Sequence, residues 1–132
     1  MRATPHLHFD GRCEAAFRVY EQCFGASSVS FVRYRDSPMA YGVSDDWQDK
    51  VLHATLQAGD LLLMGGDVPA GGYEQPRGFA VLLGIDDPAE AERVFAVLAE
   101  GGTVQTVLQE TFWARRFGTV TDRFGVPWEI NC

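Results

Sequence analysis

Pro5-His-Leu-His-Phe-Asp-Gly-Arg-Cys-Glu-Ala-Ala-Phe-Arg-Val-Tyr-Glu-Gln-Cys-Phe-Gly25 changes its hydrophobic period once. Over Pro5–Phe9, Leu7 and Phe9 alternate with His6 and His8, the period-two pattern of a half-buried strand, and Asp10-Gly11 ends it. From Arg12 to Phe24 the apolar residues Cys13, Ala16, Phe17, Tyr20, Cys23 and Phe24 recur at three- and four-residue spacing. Gly25 then stands where a helix C-terminal glycine belongs. A strand therefore runs into an amphipathic helix. Working outward, Ser28–Tyr34, the alternating Val51–Gln57 and the apolar run Asp60–Met64 predict three strands, so the first half reads βαβββ. Residues 36–50 carry no period and are expected to form a long loop able to cover a site.

The second half repeats the plan. Phe79–Ile85 predicts a strand, and Asp86-Asp87-Pro88 supplies capping aspartates and a first-turn proline. Ala91, Val94, Phe95 and Leu98 form a helix stripe ending at Gly101-Gly102. Val104–Leu108, Arg115–Thr121 and Val126–Asn131 predict three further strands. An offset of 75 residues lays Ala16, Arg18, Val19 and Tyr20 on Ala91, Arg93, Val94 and Phe95. The expected class is α+β: one domain, 1–132, made of two βαβββ repeats, 1–67 and 77–132. Gly65 to Gly78 is the connector, with Gly65-Gly66-Asp67 as turn residues; no helix or Gly-Lys-Ser/Thr follows them, so they are not a phosphate loop.

Composition bounds the function. With 46% hydrophobic and 22% charged residues among 132, the chain has the make-up of a packed globular domain. Eighteen acidic against 11 basic residues leave a net charge of −7, which repels phosphate backbones and anionic bilayers. Neither nucleic acid nor membrane is an expected partner. No run approaches the roughly 18 apolar residues of a membrane span, and the N-terminus lacks a signal-peptide core, so the expected location is the cytoplasm. Cys13, Cys23 and Cys132 are an odd count without a C-x-x-C pair, as suits reduced thiols.

A family likeness is carried by Pro5-His-Leu-His-Phe-Asp-Gly11, Ala16-Phe-Arg-Val-Tyr20 with Phe24-Gly25, His53-Ala-Thr-Leu with Gly59-Asp60, and Leu63-Met-Gly-Gly-Asp67. Thr111-Phe-Trp-Ala-Arg-Arg-Phe-Gly118 with Asp122-Arg-Phe-Gly-Val-Pro-Trp-Glu-Ile-Asn131 carries it furthest. Over nearly its whole length the chain resembles PhnB-like proteins of the vicinal oxygen chelate superfamily, with glyoxalase I, extradiol dioxygenases and bleomycin-binding proteins. The resemblance implies a glyoxalase-like fold: two βαβββ units curling into a cup-shaped, mostly antiparallel sheet with helices outside, and a homodimer. It implies no single reaction. PhnB-like sequences are sometimes labelled demethylubiquinone methyltransferases, but this chain has no glycine-rich strand-to-helix turn for a nucleotide-like methyl donor.

Metal-dependent members of the superfamily draw His and Glu ligands from the first and last strands of each unit. Those positions fall near Thr4, Leu63, Phe79 or Ala80, and Glu129, of which only Glu129 is a ligand type. A non-standard set is nonetheless present. With Leu7 and Phe9 facing the helix, His6 and His8 face the cup, with side chains about 7 Å apart along the strand. With Leu52, Ala54 and Leu56 as the apolar set, Val51, His53, Thr55 and Gln57 take the opposite face. His6, His8, His53 and Glu129 are the candidate ligands for zinc, nickel, manganese or iron, and His8, His53 and Glu129 the candidate catalytic acids and bases. The competing reading makes the histidines polar lining of a wet cup or subunit interface, and Glu129 the partner of Arg115 or Arg116.

Trp113, Trp128, Phe112, Phe117, Tyr41, Trp47 and Tyr73 supply rings for a flat ligand, with Phe112 and Trp113 best placed beside a cup strand. Of Arg115-Arg116, strand alternation turns only one inward, and Arg115 suits a carboxylate or phosphonate. Thr55, Phe112, Trp113 and Arg115 are thus the expected ligand-binding residues. The leading expectation is a small-molecule-binding cup that requires no cofactor; the alternative is a divalent-metal-dependent lyase, isomerase or dioxygenase.

Overall fold

The structure is a computed structural model describing residues 1–132, which divide into two compact units, Met1–Glu74 and Gln75–Cys132. The first holds β1 (His6–Phe9), α1 (Cys13–Phe24), β2 (Ser28–Arg33), β3 (Val51–Ala58) and β4 (Leu61–Asp67). The second holds β5 (Val81–Gly84), α2 (Pro88–Ala99), β6 (Thr103–Gln109), β7 (Phe117–Thr121) and β8 (Pro127–Asn131). Each unit forms one four-stranded sheet, in the orders β1-β4-β3-β2 and β5-β8-β7-β6. In both, the first strand lies parallel to the last and the remaining pairs are antiparallel. The class is α+β, and the two units share element order and strand pairing.

In the first unit Leu7 and Phe9 are buried, and the Phe9 ring meets Phe17 of α1 edge-on at 6.1 Å. The stripe Cys13, Ala16, Phe17, Tyr20 and Cys23 is buried against the sheet; each large apolar side chain so placed contributes about 1.5–3 kcal/mol. Gly25 closes the helix in the left-handed region, φ 62°, its N–H reaching Glu21 O. At the other end Arg12 provides no side-chain cap. Asp67, from the end of β4, fills that role. Its Oδ1 accepts the N–H groups of Gly11 at 3.0 Å and Cys13 at 2.9 Å, and its Oδ2 accepts that of Val51 at 2.9 Å. One buried carboxylate thereby fixes the start of α1, the start of β3 and the end of β4. Asp122 does similar work in the second unit, accepting from Phe124 N, Val126 N and Trp128 Nε1. The expected cap on α2 is present: Asp87 accepts the Glu90 N–H, with Pro88 in the first turn.

Three expectations are corrected. Gly65-Gly66-Asp67 is strand, not turn: β4 continues through it, because a Cβ at Gly65 would stand 2.8 Å from Leu7 O and one at Gly66 2.5 Å from Leu52 O, so close backbone approach excludes side chains. The apolar set of β3 is Val51, Ala54 and Leu56, not Leu52, Ala54 and Leu56. The β2–β3 register shifts between Val32 and Arg33, opposite His53 and Val51, leaving Leu52 as the extra residue of a bulge that rotates Val51 into the core. Finally, β7 begins at Phe117, so Arg115 and Arg116 precede the strand and its alternation does not decide between them.

The loop between β2 and β3 holds three short 3-10 turns, Tyr34–Asp36, Pro38–Gly42 and Asp45–Trp47. The Arg35–Asp49 pair at 2.9 Å and the Gln48 amide on Ala40 O at 2.8 Å tie it down. Cys13, Cys23 and Cys132 are free thiols, and burial pushes the Cys13 thiol far above its ordinary pKa. No helix is long and apolar enough to cross a membrane.

Candidate functional site

The alternation that buries Leu7 and Phe9 leaves His6 and His8 exposed on the sheet face away from α1. Strand pairing carries that face across the sheet: His6 lies beside Met64, Met64 beside Thr55 and Thr55 beside Ser30. His53, two residues before Thr55 and paired with Val32, lies on the same face. Gly66, the partner of His8, adds no side chain there. The His6 ring centre is consequently 5.3 Å from that of His8 and 5.8 Å from that of His53. All three histidines of the chain share one face of one sheet.

Thr55 Oγ1 lies 3.2 Å from His53 Nε2, a hydrogen bond whose direction follows the tautomer. Burial, then the neighbouring His8 and His53, lower the His6 pKa from its ordinary 6.5. His6 is therefore neutral at pH 7, with one N–H to donate and one lone pair. Gln57 of β3 and Leu62 of β4, with Arg2, Ala3, Thr4, Gly59 and Asp60, line an open cleft of about 400 Å³. Gln57, two residues beyond Thr55 on β3, links the cleft to the strand that carries His53.

A metal ion held by imidazoles needs nitrogens about 2.0–2.1 Å from a single point. With ring centres 5.3 and 5.8 Å apart the three histidines are near one another, yet no group of three His, Cys, Asp or Glu side chains is arranged to hold an ion. The residues as they stand do not fit a resident metal. Leu63, one of the positions counted from the resemblance, is fully buried in the core on the helix side.

In the second unit Glu129 lies between Leu82 of β5 and Thr119 of β7, opposite in facing to the buried Trp128 and Ile130. Neither arginine is its partner. Arg116 pairs with Glu92 at 3.0 Å, and Arg115 donates to Asp86 O at 2.5 Å. Phe112 and Trp113 project from the β6–β7 loop, 97% and 55% exposed, in edge-on contact at 4.7 Å, and Trp113 meets Phe117 at 5.3 Å. Trp128 is removed from the ligand-facing rings by its bond to Asp122. Thus His6, His8, His53 and Thr55 are brought together in the first unit, Phe112 and Trp113 in the second, and Arg115 is engaged by main chain. Sequence reasoning missed Arg2 in the cleft, which belongs to no periodic element, and Gly66, whose meaning depends on the bulge.

The model of the family described as 3-demethylubiquinone-9 3-methyltransferase matches residues 1–131. The chain belongs to this family. Its fold is shared with a Bacillus cereus protein described both as a putative 3-demethylubiquinone-9 3-methyltransferase and as a PhnB protein. That structure is similar at TM-score 0.78 and 22% identity, over 99% of this chain and 98% of that one, a likeness of fold. Protein PA1353 of Pseudomonas aeruginosa is similar at TM-score 0.90 and 44% identity, over 100% of this chain and 97% of its own. The same fold appears at TM-score 0.60 and 15% identity, over 98% of both chains, in a glyoxalase/bleomycin resistance protein/dioxygenase family enzyme of Burkholderia phytofirmans PsJN. The Bacillus cereus and Burkholderia phytofirmans likenesses show a fold shared with glyoxalase-type proteins.

Proposed function

We propose that this PhnB-like chain binds a small molecule on the open face of its first sheet, anchored by His6, His8, His53 and Thr55. The observation that carries the reading is the gathering of all three histidines on a face the helix does not cover. Neutral imidazoles beside a hydroxyl offer paired donors and acceptors, as a polar anchor in a ligand site requires. His8 and His53 are the candidate proton acceptors. The exposed Phe112 and Trp113 are the candidate stacking surface of the second unit and, with Leu82 (58% exposed), candidate contacts of a homodimer. The reaction, if one follows binding, is left unassigned, and the proposed location is the cytoplasm.

A thermal-shift screen of a metabolite library tests this. Compounds that raise the melting temperature of the wild type are expected to lose that effect on a His6→Gln, His8→Gln, His53→Gln variant. Hits that stabilise both proteins equally contradict it.

The metal-dependent alternative is favoured by the mutual nearness of the imidazoles and needs their nitrogens turned onto one ion, with Glu129 as a further candidate. Elemental analysis of protein purified without a histidine tag decides it. Near-stoichiometric zinc, nickel, manganese or iron, lost in a His6→Ala, His8→Ala, Glu129→Ala variant, establishes it; no uptake after incubation with those ions removes it.

A further inference from the structure

We propose that the open face of the second sheet binds an organic cation, held between the Glu129 carboxylate and the rings of Phe112, Trp113 and Phe117. This site lies wholly in the second unit, so it stands or falls apart from the histidine face.

Strand pairing assembles it. Gly118, Val120, Trp128 and Ile130 are buried, so Phe117 of β7 and Glu129 of β8 take the opposite, open face. Phe117 pairs with Asn131 and Thr119 with Glu129, which makes Phe117 and Glu129 diagonal neighbours, at a separation of roughly 7–8 Å that aromatic and long side chains span. Trp113 stands 5.3 Å from Phe117 at 64°, and Phe112 4.7 Å from Trp113 at 80°. The loop that presents these rings is braced: the Thr111 N–H donates to Ala114 O at 3.0 Å, and the Ala114 N–H to Thr111 Oγ1 at 3.1 Å. Rings meeting at such angles form open corners, which suit a rounded alkylammonium head better than a flat ligand.

Charge selects the class. Glu129 is the only ionisable residue in the four strands of this sheet. Its half-buried carboxylate takes part in neither an ion pair nor a hydrogen bond. Glu110, exposed where the ring-bearing loop begins, is likewise outside every ion pair. The cations that follow the loop are committed elsewhere, Arg116 to Glu92 at 3.0 Å and Arg115 to Asp86 O at 2.5 Å. The cation–ring contacts of the structure fall on Phe31, Trp47 and Phe124, leaving Phe112, Trp113 and Phe117 without one. A carboxylate beside ring faces attracts positive charge both directly and through the ring quadrupoles, and it repels an anion. An alkylammonium head, unlike a divalent ion, asks for one carboxylate and ring faces rather than a full shell of ligands.

The test follows the three tryptophan indole Nε1–H signals of the full chain by NMR, during titration with choline and with its neutral isostere 3,3-dimethyl-1-butanol. The expected result is a saturable shift of the Trp113 signal with choline, while Trp47, Trp128 and the histidine signals stay in place. Affinity is expected to be about threefold or more weaker for the isostere, and for choline on Glu129→Gln. Trp113→Leu, at a position 55% exposed, is expected to remove the broadening of the choline methyl signal that the wild type produces. Equal binding of choline and its isostere, or of choline to wild type and Glu129→Gln, overturns the cationic class. A Trp113 signal that ignores choline overturns the site. A response present in dilute protein and lost where the chain self-associates gives the rings to a second copy, and overturns it as well. Each of these outcomes leaves the reading of the histidine face to the library screen.

Discussion

His6 and Asp67 show how far a single side chain depends on its neighbours. His6 is held below its ordinary pKa by burial and by two imidazoles, so between that lowered value and 6.5 the unfolded chain binds the proton and the folded chain does not. Stability contributed by this site is accordingly present above pH 6.5 and lost as pH falls through the window. His6→Gln is expected to flatten the pH dependence of unfolding between about pH 5 and pH 7, checked by urea melts across that range. Asp67→Asn replaces the acceptor facing the Val51 N–H with a donor or starves the N–H groups of Gly11 and Cys13. A loss of about 1–3 kcal/mol is expected in chemical denaturation, without change in the histidine signals. The histidines were legible in the sequence because period-two alternation sets their facing. The role of Asp67 was not, because its three donors come from segments 16 to 56 residues away and leave no local pattern.

Among the elements, the strands and helices followed from periodicity and caps, whereas the ends and irregularities did not. Val51–Gln57 alternates cleanly as text, yet a bulge at Leu52 turns Val51 inward. Alternation assumes an unbroken ladder, and only the partner strand reveals the extra residue. Gly65-Gly66-Asp67 similarly looks like a turn because glycine is common in turns; here the glycines admit the carbonyls of Leu7 and Leu52. Gly66→Ala is expected to cost about 1–3 kcal/mol through collision with Leu52 O, and to displace β3 enough to separate His53 from His6. Denaturant melts measure the first effect and histidine chemical shifts the second. An unchanged stability would contradict the close approach.

At the scale of the molecule, one sequence plan appears twice, and both units adopt the same strand order. The chemistry is nevertheless unequal: the histidines lie in the first unit, while Glu129, Phe112 and Trp113 lie in the second. Ligand positions counted from the superfamily pattern fall on Thr4, Leu63 and Phe79, so family membership fixes the fold and leaves the chemistry to the chain's own residues. The exposed Phe112 and Trp113 accord with the proposed homodimer; light scattering is expected to give twice the mass of one chain, and Trp113→Glu to lower it. The central claim, that the histidine face of the first sheet is where a small molecule binds, is tested most directly by histidine-resolved NMR with a compound found by the thermal-shift screen. Joint, saturable movement of the His6, His8 and His53 signals at the compound's own affinity is the predicted result. Saturable binding that leaves all three signals in place would contradict the account.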